Sequence, residues 1–394
     1  MSLHRARRTL RRIAVVAVAS LAAGLPAVAL PSLPAAAAAS CAASAGSPII
    51  EGASWGQLRM GAEHAWPRTT GDVVVAVLDT GVSAATTSLQ GHVLPGVDLA
   101  GGPADSDCYG RGTFIGSLIA GHAVEGTQFV GLAPGATILP VRVTGNPDDI
   151  ALVDALPTLL ARGITAAVDG GARVIAVPLT ATASSPELEQ AVRAAVAADV
   201  LVVAAAGSPT TDAAAYPARL DGVLSVAPLG EDGGVEASRL GAAPDIAAPS
   251  AGLVGAVPDG AGHVVGDEPG LAVAYAAGAA ALVRADDPTL TVEAVIQRLM
   301  VTADAPTRPL PEGASTDPSL GAGVVDPVAA ISRLAPGQIV AAPDEALTLE
   351  VPPPADERPD ALALVLGLGL LGAAGAALGP LVGVATVRRA SRGS

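Results

Sequence analysis

The sequence predicts an α/β fold with a doubly wound parallel sheet, followed by one C-terminal transmembrane helix. Between Gly71 and Leu229, short unbroken apolar runs alternate with longer segments of helical periodicity. Unbroken apolarity is typical of strands buried on both faces, and alternation with helices favours a parallel sheet covered on each side. Near the C-terminus, an uncharged run of about 27 residues is long enough to cross a bilayer.

The apolar runs and the periodic segments give the predicted elements. Strands are expected at 73–78, 137–143, 173–179, 200–206 and 222–229. Helices are expected at 150–168, 186–198, 271–284 and 292–303.

The first 39 residues have the layout of a secretory signal peptide. Arginines within the first twelve residues precede the apolar run 13–30, and a small-residue stretch follows at 35–39. An uncleaved signal anchor is the alternative, although Pro26, Pro31 and Pro34 would break the helix before it reached spanning length. In both cases the remainder of the chain is expected to be exported.

The uncharged run 361–387 predicts a transmembrane helix, and its flanks predict its orientation. Arginines follow it in the tail 388–394, whereas acidic residues dominate just before it. The excess of positive charge places this tail in the cytoplasm. We therefore expect a single-pass type I protein of the cell membrane, with a main domain at 40–334 outside the cytoplasm. Segment 335–360, rich in Pro, Ala and acidic residues, is typical of an extended linker.

Composition excludes some partners and cofactors. The net charge of −15 argues against nucleic acid as a partner. Cys41 and Cys108 are the two cysteines and both lie on the exported side, which predicts a disulfide, with two free buried thiols as the alternative. Two cysteines are too few for a structural zinc site, and no His/Asp/Glu spacing indicates another metal. We expect no metal and no cofactor.

Asp79 is the first candidate for a chemical role. It ends the first predicted strand in Asp79-Thr-Gly, and parallel sheets carry functional groups at the carboxyl ends of their strands. The same three residues occur in aspartic proteases, which need a pair of carboxylates. No second Asp-Thr-Gly or Asp-Ser-Gly exists in the chain, so that class is excluded.

A series of further motifs follows in chain order. They lie at 65–66, 74–82, 93–98, 107–113, 131–138, 216–218, 247–249, 275–281 and 323–327. Together they resemble the subtilisin-like serine proteases, in particular the mycosins, which are membrane-anchored subtilases associated with type VII (ESX) secretion. The resemblance spans nearly the whole chain from Cys41 to Arg389, and it implies a subtilisin-like sheet and type VII secretion-complex components as partners.

The resemblance also implies which positions should carry catalysis. Asp79 stands where the triad aspartate belongs, but Arg111 replaces the histidine of Gly-His-Gly-Thr, and Gly270 stands at the serine. A register shifted by two residues gives Ala272 instead, which also lacks a hydroxyl. Ser208 replaces the oxyanion asparagine, where its shorter side chain is a less well-directed donor. Arginine has a pKa above about 12 and cannot act as a general base near neutral pH.

Other residues near the motifs do not replace the missing groups. His122 lies eleven residues beyond Arg111 on what is expected to be the same helix, about 16 Å away. The other histidines, including His263, are expected on the surface or in loops. Pro178 interrupts the strand edge that would pair with a substrate, because proline has no N–H to donate.

These observations favour a pseudoprotease, a subtilisin-like scaffold without peptidase activity. Arg111 is expected to neutralise Asp79, with their side chains within about 4 Å. The first alternative is an active serine-type endopeptidase with a non-standard catalytic set. The second is a decoy that holds peptides without cutting them.

Overall fold

The computed structural model describes residues 47–149, 151–207, 213–235, 239–306, 310 and 316–332. The predicted signal peptide, linker, transmembrane helix and tail lie outside these residues. Within the described segments, no helix combines the length and the apolarity needed to cross a membrane. All of the described residues belong to one compact unit, Met1–Ala335.

A parallel sheet of seven strands forms the centre of this unit, in the order β2-β3-β1-β4-β5-β6-β7. Every pair of neighbouring strands in it is parallel, so the predicted α/β fold with a parallel sheet is confirmed. The strands are β1 Val74–Asp79, β2 Val97–Asp98, β3 Thr137–Arg142, β4 Val174–Val177, β5 Leu201–Ala205, β6 Val223–Leu229 and β7 Ile246–Pro249. An antiparallel hairpin follows, formed by β8 Leu253–Ala256 and β9 His263–Gly266.

Helices cover both faces of the sheet. They are α1 Trp55–Met60, α2 Arg111–Ala120, α3 Leu152–Asp169, α4 Pro186–Ala197, α5 Ala272–Asp286, α6 Val292–Thr302 and α7 Pro327–Ser332. Alternate residues of β1 belong to different cores: Val75 and Val77 pack in the cluster that contains α2 and α5, whereas Ala76 and Leu78 pack in the cluster that contains α3 and α4. This alternation explains why the strands read as unbroken apolar runs.

The predicted elements match the observed ones to within a few residues, with one difference that bears on function. The strand predicted at 173–179 ends at Val177, because Pro178 cannot donate to a further ladder hydrogen bond. Several short elements were not predicted, among them β2, β7 and the β8–β9 hairpin. At two to four residues each, they are too short to show a period.

Candidate active site

Asp79 is the last residue of β1 and lies at the carboxyl edge of the sheet. Its side chain is fully buried. One carboxylate oxygen, Oδ1, accepts a hydrogen bond of 2.7 Å from the backbone N–H of Thr80. The other oxygen, Oδ2, is directed toward the first turn of α2.

The Asp107 carboxylate fixes the start of α2. It accepts hydrogen bonds of 2.8 Å from the N–H of Gly110, the N–H of Thr113 and the hydroxyl of Thr113. The helix also approaches the loop after β1 closely, since a Cβ on Gly112 would lie 2.0 Å from the carbonyl oxygen of Gly81. This close contact holds the first helical residue, Arg111, directly above Asp79.

Replacing Asp107 with alanine is expected to loosen this helix start. The partly buried N–H of Gly110 and the buried N–H of Thr113 would lose their acceptor, and loss of a helix-capping side chain costs about 1–2 kcal/mol. Urea denaturation should report this loss. Alanine at the exposed Asp72 is the control and should change the free energy of unfolding by less than about 0.5 kcal/mol. Equal effects of the two substitutions would contradict the capping role.

Three acceptors surround the guanidinium of Arg111. Nη1 donates to Asp79 Oδ2 at 2.7 Å, Nε donates to Glu268 Oε2 at 2.6 Å, and Nη2 donates to the carbonyl oxygen of Pro178 at 3.3 Å. The Arg111 side chain is 9% exposed, whereas that of Glu268 is 47% exposed. The predicted contact between Asp79 and Arg111 is therefore confirmed, and Glu268 completes a three-residue ionic network.

Burial and charge act in opposite directions on this network. Burial raises the pKa of Asp79 to about 6, while the neighbouring charge of Arg111 acts to lower it. Burial acts to lower the pKa of Arg111, but the carboxylates of Asp79 and Glu268 outweigh it, so the net shift is upward. At neutral pH the network therefore contains two carboxylates and a guanidinium that cannot release its proton.

Gly270 faces this guanidinium. It lies in the 3₁₀ turn Pro269–Leu271 that leads into α5. A Cβ at Gly270 would lie 2.6 Å from Arg111 Nη2 and 2.8 Å from the carbonyl oxygen of Pro178. Arg111 thus occupies the space into which a side chain at position 270 would project. Ala272, the shifted alternative, is fully buried in the first turn of α5.

The structure thus brings Asp79, Arg111 and Gly270 together, whereas Ser208 lies outside the described residues. A cleft of about 440 Å³ opens beside the guanidinium, and its lining includes Leu156, Leu179 and Gly207. At its mouth the hydroxyl of Tyr109 donates to Asp148 Oδ2 at 2.5 Å. This bond is the main reason that the pKa of Tyr109 rises to about 12.

Sequence reasoning missed Glu268 and the Tyr109–Asp148 pair. Glu268 lies two residues before Gly270, and the family motif has glycine at the position of Glu268. This carboxylate beside the missing nucleophile could have indicated an ionic contact with Arg111. No comparable signal connects Tyr109 with Asp148, because their contact depends on how two loops meet.

Two expectations about histidines are wrong. Helix α2 ends at Ala120, so His122 is not on the helix of Arg111; its ring packs against that of His92 with centroids 4.5 Å apart. His263 is buried in β9, where Nδ1 accepts a hydrogen bond of 3.3 Å from the N–H of Ile50. Neither histidine hydrogen-bonds Asp79 or Arg111.

The buried His263 is expected to make the fold sensitive to acid. Burial lowers the pKa of His263 below its usual 6.5, so the folded state favours the neutral ring. Stability from this group is present above pH 6.5 and is lost as the pH falls toward the lowered pKa, since the unfolded chain binds the proton first. Comparing the wild type with His263→Gln by urea denaturation between pH 7.5 and 5.5 measures this term. A constant difference between them would contradict it.

Cys108 is disulfide-bonded. Cys41 lies outside the described residues, so the pairing between the two cysteines stays a prediction.

The sheet order and the placement of Asp79 and α2 define a subtilisin-like α/β protein. The model of the subtilase family matches residues 70–323, and the chain belongs to this family. The match includes the positions of Asp79, Arg111, Ser208 and Gly270.

Within this family the chain is a mycosin-like subtilase. Mycosin-1 of Mycobacterium tuberculosis is 31% identical to it, over 85% of this chain and 86% of that protein. The crystal structure of MycP1 from Mycobacterium smegmatis matches with a TM-score of 0.64 and 28% identity, over 76% of this chain and 91% of that one. A chain in the periplasmic assembly from the ESX-5 inner membrane complex matches with a TM-score of 0.61 and 28% identity, over 78% of this chain and 93% of that one.

Proposed function

We propose that this chain is a membrane-anchored mycosin homologue of the type VII secretion system that acts as a scaffold or interaction protein without peptidase activity. The ion pair between Arg111 and Asp79 is the observation that carries this proposal. Its guanidinium lies where a histidine would have to accept a proton, and it faces Gly270, where a hydroxyl would have to attack.

The chemistry of a serine peptidase needs both missing groups. In a subtilase, loss of the nucleophile or of the base alone lowers kcat by about 2 × 10⁶-fold. Arg111 cannot act as the base, because the carboxylates around it raise its pKa further. The carbonyl oxygen of Pro178 accepts a bond from Arg111, which also draws the former substrate edge into the ionic network.

A peptidase assay tests the absence of activity. Purified full-length chain is expected to release no fluorescent peptides from labelled casein above the level of a heat-unfolded sample. A matched chain carrying Asp79→Asn should give the same background. Turnover by the wild type that Asp79→Asn abolishes would overturn the proposal and favour a non-standard catalytic set.

The relatives of the chain and its predicted transmembrane helix support a location of the scaffold at the cell membrane. The match to a chain of the periplasmic assembly from the ESX-5 inner membrane complex supports a position outside the cytoplasm. The uncharged run 361–387 would anchor it in the cell membrane as a single-pass type I protein. Residues 40–334 would then present their surface to components of the type VII membrane complex.

Co-purification from membranes tests this placement. A full-length tagged chain is expected to recover type VII membrane-complex components after mild detergent extraction. A chain that ends at Ala335 should leave the membrane fraction. Recovery of the full-length chain alone, under conditions in which the complex stays assembled, would contradict the scaffold role.

A further inference from the structure

Arg142 carries an unpaired guanidinium at the carboxyl edge of the sheet. It is the last residue of β3, and its Nε is buried without a hydrogen-bond partner. Across the described segments, no residue forms a hydrogen bond or ion pair with its side chain. By contrast, Arg111 and Arg284, whose side chains are 9% and 0% exposed, both bind carboxylates. We propose that Arg142 is a binding site for a carboxylate.

The position of Arg142 explains why no internal carboxylate neutralises it. In the β1–β3 register Arg142 is the partner of Asp79, so the two side chains project from the same face of adjacent strands. Asp79 is already bound to Arg111. The guanidinium of Arg142 extends instead toward the loops that follow β2 and β3.

A glycine in each of these loops leaves room for the guanidinium. A Cβ on Gly102 would lie 2.1 Å from Arg142 Nη1, and a Cβ on Gly145 would lie 3.0 Å from Nη2. Any larger residue at Gly102 would displace the guanidinium from this position. The two terminal nitrogens are therefore held by backbone packing in place of a salt bridge.

Asp98, the register partner of Arg142 on β2, is also bound elsewhere. Asp98 accepts hydrogen bonds from the N–H groups of Ala100, Gly101 and Gly102 at 3.2, 2.6 and 2.7 Å. These bonds hold the loop beside Arg142 and orient the Asp98 carboxylate toward the loop backbone, and Asp98 forms no ion pair with Arg142. The loop around Arg142 is therefore held in place, while the N–H groups of its guanidinium have no acceptor among the described residues.

A carboxylate is the anion that best fits this donor set. Guanidinium binds carboxylate through two parallel N–H···O bonds. Because Nε of Arg142 is buried, these bonds would come from Nη1 and Nη2. A phosphate would bring about two negative charges to a single guanidinium with Asp98 on the same loop, in a strongly acidic chain. The carboxylate could be a free small acid or the side chain of an acidic partner.

Side-chain NMR of arginine tests the site directly. Full-length chain labelled with ¹⁵N-arginine in nanodiscs is titrated at constant ionic strength, first with acetate in exchange for chloride. It is then titrated with a blocked Ala-Asp-Ala peptide and with its Ala-Asn-Ala twin. The Nε–H signal of Arg142 is identified by its absence in Arg142→Gln.

Four variants make the test specific. Gly102→Ala is expected to weaken carboxylate binding by at least about tenfold without removing a charge. Gly52→Ala should leave it unchanged, since no atom lies within 4 Å of a Cβ there. Arg162→Gln, at an exposed position on α3, controls for the loss of one positive charge next to Arg142→Gln.

A saturable shift of the Arg142 signal with the Asp peptide, absent with the Asn peptide, supports a site for an acidic partner. A saturable shift with acetate alone supports a site for free small acids. No saturable shift with either, or equal shifts in the wild type and Gly102→Ala, would overturn the proposal. None of these outcomes depends on whether the Arg111 network is catalytically inert.

Discussion

Arg111→Met is expected to destabilise the domain by about 3–5 kcal/mol near pH 8, among the largest effects of any single substitution in this chain. The substitution would leave Asp79 fully buried without a counter-charge, and its other bond is one backbone N–H from Thr80. Glu268 would lose a partner at little cost, because it is 47% exposed. Urea denaturation monitored by circular dichroism measures the change.

The size of this effect should depend on pH. Burial raises the folded pKa of Asp79 to about 6 in the wild type, so the stability from its neutral form falls as the pH rises from about 4 to about 6 and is level above that. Without Arg111, the main cause that lowers this pKa is gone. The pKa should rise further, and the variant should keep losing stability above pH 6. The difference between wild type and variant is therefore smallest near pH 5 and grows by up to about 3 kcal/mol toward pH 8, which is about two pH units above the wild-type pKa.

Two controls separate the buried pair from a surface effect. Arg193→Met removes an exposed arginine whose nearest partner, Glu189, is 3.8 Å away, and it should cost less than about 1 kcal/mol at every pH. Combining Asp79→Asn with Arg111→Met removes both charges and should recover most of the lost stability. A loss that is independent of pH and remains in the double variant would contradict the ion pair.

Gly270→Ser alone is expected to restore no nucleophile, and together with Arg111→His it is expected to restore slow reactivity toward a fluorophosphonate. The serine Cβ would lie 2.6 Å from Arg111 Nη2, so the single variant is overpacked and destabilised by about 1–3 kcal/mol. Histidine in place of Arg111 removes the guanidinium and provides a base. The gain stays partial, since a missing oxyanion donor costs about 10²–10³-fold.

Gly270→Ala is the matched control for this series. It should show the same loss of stability as Gly270→Ser, and no labelling with or without Arg111→His. Stoichiometric labelling of Gly270→Ser in the presence of Arg111 would show that the guanidinium does not fill the catalytic centre.

The α/β fold and the ion pair between Asp79 and Arg111 could be predicted from the sequence. Buried parallel strands produce unbroken apolar runs, so β1, β3 and β6 were found close to their observed bounds. The pair of Asp79 and Arg111 was predictable because a positively charged residue that faces a buried carboxylate is expected to form an ion pair with it. Local apolar runs indicate the strands, and two motifs whose relative positions in the subtilisin-like fold are known indicate the ion pair.

The remaining features depend on contacts between distant parts of the chain. Glu268 reaches Arg111 across 157 residues, so the contact is not local, and only the position of Glu268 in the nucleophile motif could have indicated it. The burial of His263 is hidden because β9 has four residues and its neighbours Val264 and Val265 are both exposed. The unpaired state of Arg142 depends on the loops that follow β2 and β3 and cannot be inferred from its own position.

Intact-mass spectrometry of the wild-type full-length chain after incubation with a fluorophosphonate shows whether any hydroxyl beside Asp79 is an active nucleophile. Arg111 occupies the space beside Asp79, and no hydroxyl stands at Gly270. We therefore expect an unchanged mass for the wild type and an adduct on the variant that combines Gly270→Ser with Arg111→His. A stoichiometric adduct on a serine or threonine of the folded wild type, lost in Asp79→Asn, would contradict this expectation.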